Sequence, residues 1–442
     1  MNKKIGFLFL VFILYAGVRL VPFFFTFTST DRFFLADSYE YSLLGENIAQ
    51  HGYYTQNGGE PGLRRTPGYP LYLALIYKIF GVKPAVALFF QIILSGFIPV
   101  FLYLNAEQLF SKRIAKIAAV ISIFEPVSVI YVNILLSETL FVIFLLISTY
   151  FLIKSTKEER SAFVVLSAIF AGLSAYLRSI SLYLPVFYAL IYLLASRFSF
   201  RDRIKKSVSV IIIAALTVSP WIIRNYAVDQ YKGFCSIQDI NLYHWRAAGV
   251  ISEVDHIPLR TAQENLDRAV PSGLSLANEY RFFRDKAARI IMHHPYAYFI
   301  VMLKGSINML ASPERYAVFK LANIKPRLLG FMWQGHSLEN AINMLKSDPA
   351  IISAVVLYQA GFTVLLGLLI LIGLVTAAGE GFYRELLFLV LIIAYFIIVS
   401  AGPEAEPRFR LPPLPYAIIL VSTALSALSS SITRKHYKER IK

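Results

Sequence analysis

Cysteine and charged residues are scarce in this sequence of 442 residues. The single cysteine, Cys235, excludes an internal disulfide and any metal cage built from cysteines, and it is predicted to be an inert thiol. Asp, Glu, Lys and Arg make up only 16% of the chain, whereas hydrophobic residues make up 57%. Several segments are therefore long and apolar enough to cross a bilayer. The composition predicts a polytopic membrane protein.

The formal net charge of +16 is the one feature of the composition that is typical of nucleic-acid binding. That function requires a solvent-facing basic domain, but the lysines and arginines here lie mostly in short breaks between apolar runs. Nucleic acid is therefore not expected as a partner. The histidines show no metal-binding spacing, so no metal site and no cofactor are predicted. A role for a divalent metal stays open at this stage.

About ten apolar runs, within a range of about 9–12, are predicted to span the membrane as helices. They lie at about residues 5–27, 85–105, 114–133, 138–153, 161–177, 180–196, 207–223, 352–375, 385–401 and 411–431. Lysines and arginines cluster at alternate breaks, and the positive-inside rule then places both termini in the cytoplasm. The first run is too long for the apolar core of a signal peptide and is predicted to stay uncleaved. We expect a multi-pass protein of the cytoplasmic (inner) membrane.

This topology divides the chain into three parts. Residues 1–223 form an N-terminal transmembrane catalytic module that includes the first outer loop, 28–84. Residues 224–351 form a helical extracytoplasmic segment, and residues 352–442 form C-terminal transmembrane helices and a basic cytoplasmic tail.

Two shorter apolar stretches are predicted to be helices that lie in the outer membrane interface. Residues 290–312 have an apolar core of only about 14 residues that contains Lys304, which favours a helix in the interface over a span and leaves the spanning alternative open. The same reasoning applies to residues 68–80. The fold class is therefore an all-α polytopic membrane protein with interfacial helices on its outer face.

A short helix is predicted over residues 37–50, directly after the first span. Tyr41, Leu44 and Ile48 recur at helical spacing and form one apolar stripe. Asp37 or Ser38 can cap its N-terminus, Glu40 stands at a capping-box-like spacing, and Gly52 can end it. From these residues alone, Asp37 is as well explained by a cap as by a functional carboxylate.

Other ionisable residues lie on the same predicted outer side as Asp37. Glu138 begins the helix after "NILLS" and, taken singly, can be an acid that is favoured at a helix N-terminus. Arg64 and Arg65 precede "TPGYP" and, taken singly, can be a basic pair that contacts lipid headgroups. Ionisable groups that converge on one side of a membrane protein indicate a polar site. The remaining members of this set are Arg178, Arg224, Arg408 and Arg410. Glu125, in "FEPVS", is read as lying inside a helix beside a proline, with a cavity-lining role and a structural role equally open.

Seven motifs of this sequence occur in the order seen in glycosyltransferases of the GT-C superfamily, which the chain resembles from residue 1 to about 430. They are "DSYEYSLLGENIAQHGYYT", "RRTPGYPLYLALIYKIFG", "SETLF", "YLRSISLYLPV", "PWIIRNY", "HPYAYF" and "RFRLPPLP". The resemblance rests on their order and membrane side, since no single motif is decisive. The most similar branch contains the protein mannosyltransferases and the aminoarabinose transferase that modifies lipid A.

This resemblance implies that a sugar, a hexose or a pentose, is transferred with inversion from a polyprenyl-phosphate donor on the outer face. The acceptor is expected to be a glycan, a lipid or a protein, and membrane lipids are the other partners. By position, Asp37 is similar to the family's first-loop acid, Glu138 to its second acid, and Arg65 to its basic residue before a proline pair. The sequence departs from the family in "RTPGYP" and "DSYE" and lacks a large C-terminal soluble domain, which leaves the acceptor open.

The chemistry of this transfer suggests roles for the candidate residues. Asp37 is predicted to be the base that takes the acceptor's proton, and Glu138 to position the acceptor. Arg65 is the first candidate to bind the donor phosphate, because arginines stabilise a phosphate leaving group in a partly dehydrated site. Further phosphate-binding candidates are Arg64, Arg178 and Arg408. Other site candidates are Glu40, Arg224, Arg410 and Glu125.

Two other functions compete with this interpretation. A transporter or lipid or polysaccharide flippase also has many helices and buried charges, but the charges here collect at one face and no paired repeat is evident. A non-catalytic assembly protein that binds a partner through residues 224–351 is the second alternative.

Overall fold

The computed structural model describes residues 3–55, 62–325 and 346–441, with side chains as far as Ser429. Within these ranges the chain forms helices and no β-strand, which confirms the all-α fold class. In chain order the α-helices are α1 (Lys3–Thr26), α2 (Thr30–Phe33), α3 (Ala36–His51), α4 (Gly68–Phe80), α5 (Pro84–Ser95), α6 (Phe97–Leu109), α7 (Lys112–Ile123), α8 (Pro126–Val132), α9 (Glu138–Lys157), α10 (Ser161–Leu177), α11 (Leu184–Ala195), α12 (Phe200–Asp229), α13 (Ile237–Asn241), α14 (Ala248–Asp255), α15 (Leu259–Arg268), α16 (Leu276–His293), α17 (Pro295–Ala311), α18 (Tyr316–Ala322), α19 (Ala350–Gly379), α20 (Tyr383–Ser400) and α21 (Leu414–Ile441). Short 3₁₀ and π-helical turns occur at Ser179–Ser181, Pro407–Arg410 and Leu242–Ala247.

The number of helices that can cross a membrane is lower than the sequence predicted. By length and hydropathy, six helices of the described chain qualify, or seven if α7 and α8 form one bent span. The predicted runs at 161–177 and 180–196 form apolar helices of fewer than 18 residues, and the apolar part of α21, Leu414–Ser429, is equally short. These three segments are shorter than the roughly 20 residues that a straight span typically needs. The predicted total of ten is therefore not confirmed, whereas the multi-pass character of the chain is.

A proline divides the predicted run 114–133. Helix α7 ends at Ile123, and α8 begins at Pro126 after a bend of 56°. Proline is favoured in the first turn of a helix because its missing N–H would have no partner there. Glu125 is consequently the N-cap of α8, where its carboxylate accepts hydrogen bonds from the N–H groups of Val127 (3.1 Å) and Ser128 (2.5 Å). The interpretation of Glu125 as a residue inside a helix was wrong.

Helix α9 is the most enclosed of the long apolar helices. It packs antiparallel to α10 and also against α6, while α10 packs against α12 and α12 against α11. Helix α21 lies against α7 and α19. Because α9 begins where α10 ends, Glu138 and Arg178 come to the same end of the helix bundle.

The first loop folds into a helical hairpin of α3 and α4. The two helices approach closely at Gly45, where a Cβ atom would lie 2.7 Å from the Cβ of Leu73. Only glycine fits at this distance. The hairpin is joined to the end of α10, because the Thr66 hydroxyl donates a hydrogen bond of 3.1 Å to the carbonyl oxygen of Leu177.

Helix α17 belongs to the stretch 290–312 that was predicted to lie in the interface. It is not among the described helices that are long and apolar enough to cross a membrane. One exposed face carries apolar side chains at helical spacing, namely Tyr296, Phe299, Leu303, Ile307 and Leu310. An interfacial location for α17 and α4, and the division of the chain into three parts, stay predictions.

Candidate active site

Asp37 lies in the first turn of α3 but does not cap it. Leu35 is the N-cap residue, and its N–H donates to the Ser38 hydroxyl at 2.9 Å. With Leu35 as the N-cap, the capping-box position belongs to Ser38, so the capping roles suggested for Asp37 and Glu40 were wrong. Gly52 ends the helix with a left-handed φ of 73°, as its sequence position predicted. Both carboxylates are therefore available for contacts outside the helix.

Each carboxylate oxygen of Asp37 accepts a hydrogen bond from a different arginine. Arg65 donates through Nη2 to Oδ1 at 2.7 Å, and Arg408 donates through Nη1 to Oδ2 at 2.8 Å. Burial raises the pKa of Asp37, but Arg408 and Arg65 lower it by more, so the net pKa lies below the usual range of an aspartate. Asp37 is therefore ionised and held by both arginines at neutral pH.

Glu40 joins Arg64 and Arg65 to this pair. Its Oε2 accepts a hydrogen bond of 2.5 Å from Arg65 Nε, and its Oε1 lies 3.1 Å from Arg64 Nη1. Glu40 lies one helical turn after Asp37, so the two carboxylates point from the same face of α3 to the same arginine. Arg65 thus donates to two carboxylates through two of its guanidinium nitrogens, Nε and Nη2.

The loop that carries Arg65 is joined to two other helices by hydrogen bonds between side chains and backbone carbonyl oxygens. Arg224, on α12, donates a hydrogen bond of 2.9 Å to the carbonyl oxygen of Gly62, and Thr66 is bound to the end of α10. The predicted site candidate Arg224 therefore supports the loop and does not contact the carboxylates of the site.

Glu138, the first residue of α9, is only 2% exposed and forms ion pairs with two arginines. Its Oε1 contacts Arg178 Nη1, and it lies 3.7 Å from Arg408 Nη1. Neither oxygen of Glu138 accepts a hydrogen bond of good geometry from the described residues. A buried carboxylate with unused acceptor capacity is suited to bind a hydroxyl group.

Arg408 lies in the 3₁₀ turn between α20 and α21 and links the two acids. Besides Asp37 and Glu138, it contacts Glu406, whose Oε2 lies 2.8 Å from Arg408 Nε. Glu406 was not among the residues that the sequence indicated as site candidates. The turn "GPEAEPRFR" holds two acids beside its arginines, and this is the signal that could have identified it.

We call these eight residues the arginine–carboxylate network. It consists of Arg64, Arg65, Arg178, Arg408, Asp37, Glu40, Glu138 and Glu406. The network thus contains four guanidinium groups and four carboxyl groups. Such a site can bind an oxyanion on its arginines and accept a proton on a carboxylate.

The turn that carries Arg408 is held in place by side chains from residues 224–351. Arg246 lies 3.1 Å from Glu404 Oε1, and Asn308 donates a hydrogen bond of 2.8 Å to the carbonyl oxygen of Ala405. Arg410, another predicted candidate, donates to the carbonyl oxygens of Leu310 and Ser312 at 3.0 Å each and does not join the network. The described part of residues 224–351 therefore positions Arg408.

Two groups that the sequence analysis considered lie apart from the network. Glu125 uses both carboxylate oxygens to cap α8, although it lines a largely apolar cavity that Glu138 also reaches. Burial raises the pKa of the Cys235 thiol to about 11, which fits the inert thiol predicted for it. Within the described ranges, no group of three or more His, Cys, Asp or Glu side chains is arranged to hold a metal ion.

The fold and the network together define a class: an all-α, multi-pass membrane protein whose carboxylates and arginines meet at one end of the helix bundle. A family model described as dolichyl-phosphate-mannose-protein mannosyltransferase matches residues 64–223. That range includes Arg65, Glu138 and Arg178, whereas Asp37 and Arg408 lie outside it. No curated protein sequence matches the chain significantly.

Solved structures of GT-C superfamily members are similar to this fold. The archaeal oligosaccharyltransferase AglB from Archaeoglobus fulgidus, in complex with an inhibitory peptide and a dolichol-phosphate, is 12% identical with a TM-score of 0.59. The match covers 100% of this chain and 52% of AglB. The apo form of the A. fulgidus enzyme is 14% identical with a TM-score of 0.56 and the same coverage. The chain thus spans about half the length of these enzymes.

A more distant similarity is found to ArnT from Cupriavidus metallidurans bound to undecaprenyl phosphate. It is 12% identical over 95% of this chain and 78% of ArnT, and its TM-score of 0.44 is too low to support an argument. At these identities the AglB structures show the fold alone. Together with the family match, they confirm the resemblance to the GT-C superfamily.

Proposed function

We propose that this protein is an inverting glycosyltransferase that moves a sugar from a polyprenyl-phosphate donor to an acceptor on the extracytoplasmic face of the cytoplasmic membrane. The observation that carries the proposal is the position of Asp37, which lies between Arg65 and Arg408 at one end of a GT-C-like helix bundle. The family description names a dolichyl-phosphate-mannose donor, and AglB was solved with a dolichol-phosphate. Both support a lipid-phosphate donor.

In the proposed reaction the acceptor oxygen attacks the anomeric carbon of the donor. Its proton passes to the Asp37 carboxylate as the new carbon–oxygen bond forms. The bond between the anomeric carbon and the phosphate oxygen breaks, and the polyprenyl phosphate leaves with the electron pair. Arg65 and Arg408 stabilise the charge that develops on this leaving group.

The other network residues have supporting roles in this proposal. Glu138 positions the acceptor through its unused carboxylate oxygens, and Arg178 holds Glu138 in place through their ion pair. Arg64 and Glu40 hold Arg65 in place. The proposal includes no metal or other cofactor, and it leaves the sugar as a hexose or a pentose.

The experiment that tests this function compares the glycans and lipids of cell envelopes with and without the protein. We expect one sugar to be missing from one polymer, lipid or protein, while the lipid-linked donor of that sugar accumulates on the outer leaflet. Accumulation of the donor on the cytoplasmic leaflet would instead indicate a flippase. An unchanged envelope would contradict the proposal.

A second experiment tests the membrane side on which the network is proposed to lie. Cysteines introduced at Ser275 and Ser347, both in the segment predicted to be extracytoplasmic, should react with an impermeant thiol reagent in intact cells or spheroplasts. A cysteine at Glu159, in the turn between α9 and α10, should react only after lysis and serves as the cytoplasmic control. Native Cys235 is buried and should add little background. The reverse pattern of labelling would show that the topology is inverted.

A further inference from the structure

Three carboxylates lie around the single guanidinium group of Arg408. Its Nη1 lies 2.8 Å from Asp37 Oδ2 and 3.7 Å from Glu138 Oε1, and its Nε lies 2.8 Å from Glu406 Oε2. Three carboxylates around one positive charge repel one another, so the least strongly held of them is the easiest to displace.

Glu406 is the least strongly held of the three. Asp37 has a second arginine in Arg65, and Glu138 has one in Arg178, whereas Glu406 forms an ion pair only with Arg408 in the part of the chain that is described. The Glu406 side chain is 42% exposed, compared with 23% for Asp37 and 2% for Glu138. Glu406 can therefore turn into solvent at the lowest cost in desolvation.

The contact between Glu406 and Arg408 is close but poorly aligned. Although the two atoms are 2.8 Å apart, the buried Nε–H of Arg408 has no hydrogen-bond acceptor of good geometry among the described residues. Glu406 is the N-cap residue of the 3₁₀ turn that follows it, but its side chain makes no capping hydrogen bond there. A buried donor of this kind is expected to have a better partner in some state of the protein.

We propose that Glu406 occupies, in the donor-free protein, the position on Arg408 that a phosphate group of the lipid-linked donor takes. Carboxylate and phosphate oxygens bind the same guanidinium edges, and a phosphate carries more charge over more oxygens. If Glu406 stayed in place, the incoming phosphate would face three carboxylates. Arg65 also contacts Asp37, so a phosphate held by Arg408 is also attracted by the charge of Arg65.

This inference rests on the proposed function, because that function supplies the phosphate. In this inference, Glu406 lowers the affinity of the protein for the donor and must move away from Arg408 before transfer. A carboxylate that only braced Arg408 would have the opposite effect, since its loss would loosen the arginine and weaken binding.

The test measures binding of farnesyl phosphate to the purified full-length protein in detergent, with farnesol as the uncharged control. Glu406→Gln should bind farnesyl phosphate more tightly by about fivefold, which corresponds to the loss of one competing exposed ion pair. Farnesol binding should not change. Glu264→Gln is the matched control, because Glu264 is half exposed, forms an ion pair with Arg260 and is not part of the arginine–carboxylate network. This substitution should change neither the affinity for farnesyl phosphate nor the affinity for farnesol.

Weaker or unchanged binding of farnesyl phosphate by Glu406→Gln would overturn the inference, as would equal tightening by Glu264→Gln. Glu406→Ala should show the same direction of change and provides a second variant if the glutamine protein does not fold. Sugar transfer by the wild-type protein is measured separately. If the protein binds phosphate as expected but transfers no sugar, the proposed function is wrong and the role of Glu406 in phosphate binding remains supported. If it transfers sugar but the Glu406 variants do not change phosphate binding, the inference about Glu406 is wrong and the proposed function remains supported.

Discussion

Asp37→Asn should reduce the turnover number for sugar transfer by about 10²–10⁴-fold, the range expected when a positioned general base is lost. Asparagine keeps the size of the side chain and can still accept a hydrogen bond, but it cannot take the acceptor's proton. Helix α3 should form normally, because Leu35 and Ser38 make the capping contacts and Asp37 does not. The measurement is steady-state transfer from a purified polyprenyl-phosphate sugar in nanodiscs.

Donor binding separates a catalytic role of Asp37 from a structural one. Removing its charge frees Arg65 and Arg408 from one carboxylate, so the affinity for the donor phosphate should be kept or increased. Asp31→Asn, a change to an exposed aspartate on α2, is the matched control and should transfer sugar normally. An Asp37→Asn protein with a near wild-type turnover would contradict the mechanism, and Glu40 and Glu138 would then be the candidates for the base.

Arg65→Ala should raise the KM for the lipid-linked donor by roughly ten- to a hundredfold, since hydrogen bonds to charged groups contribute about 1.5–3 kcal/mol. The KM for the acceptor should change much less. The two carboxylates that Arg65 holds keep other partners, because Asp37 still has Arg408 and Glu40 still has Arg64. The variant is therefore expected to fold and insert.

Arg65→Lys should restore donor use only in part, because an ammonium group cannot reproduce the planar fork of donors. Arg260→Ala, which removes a highly exposed arginine on α15, is the control and should behave as wild type. Full activity of Arg65→Ala, or complete loss of wild-type activity with a chelator, would count against phosphate binding by arginine.

Much of the fold could be predicted because helix formation is governed by local sequence. The helix at 37–50 is observed at Ala36–His51, and the stretch 68–80 is observed as a helix with the same limits. Apolar length and the alternation of basic breaks also identified the multi-pass class. One error also has a local cause. A continuous helix was predicted over residues 114–133, but a new helix begins at Pro126, and Glu125 is its N-cap.

The sequence by itself determined that Asp37, Glu138, Arg65 and Arg408 lie at or beyond the ends of apolar runs, because charges are excluded from apolar spans. It predicted one side of the membrane for all four, and the structure brings them together at one end of the helix bundle. The sequence did not determine their partners. Asp37 and Arg408 are 371 residues apart along the chain, and their contact depends on how α3, α9 and the 3₁₀ turn are packed. Tertiary packing also brings Glu406 into the network. It places Arg224 and Arg410 against backbone carbonyl groups instead of the carboxylates. An ion pair of 2.8 Å requires positions accurate to a fraction of an ångström, and only the tertiary packing of the helices provides that accuracy.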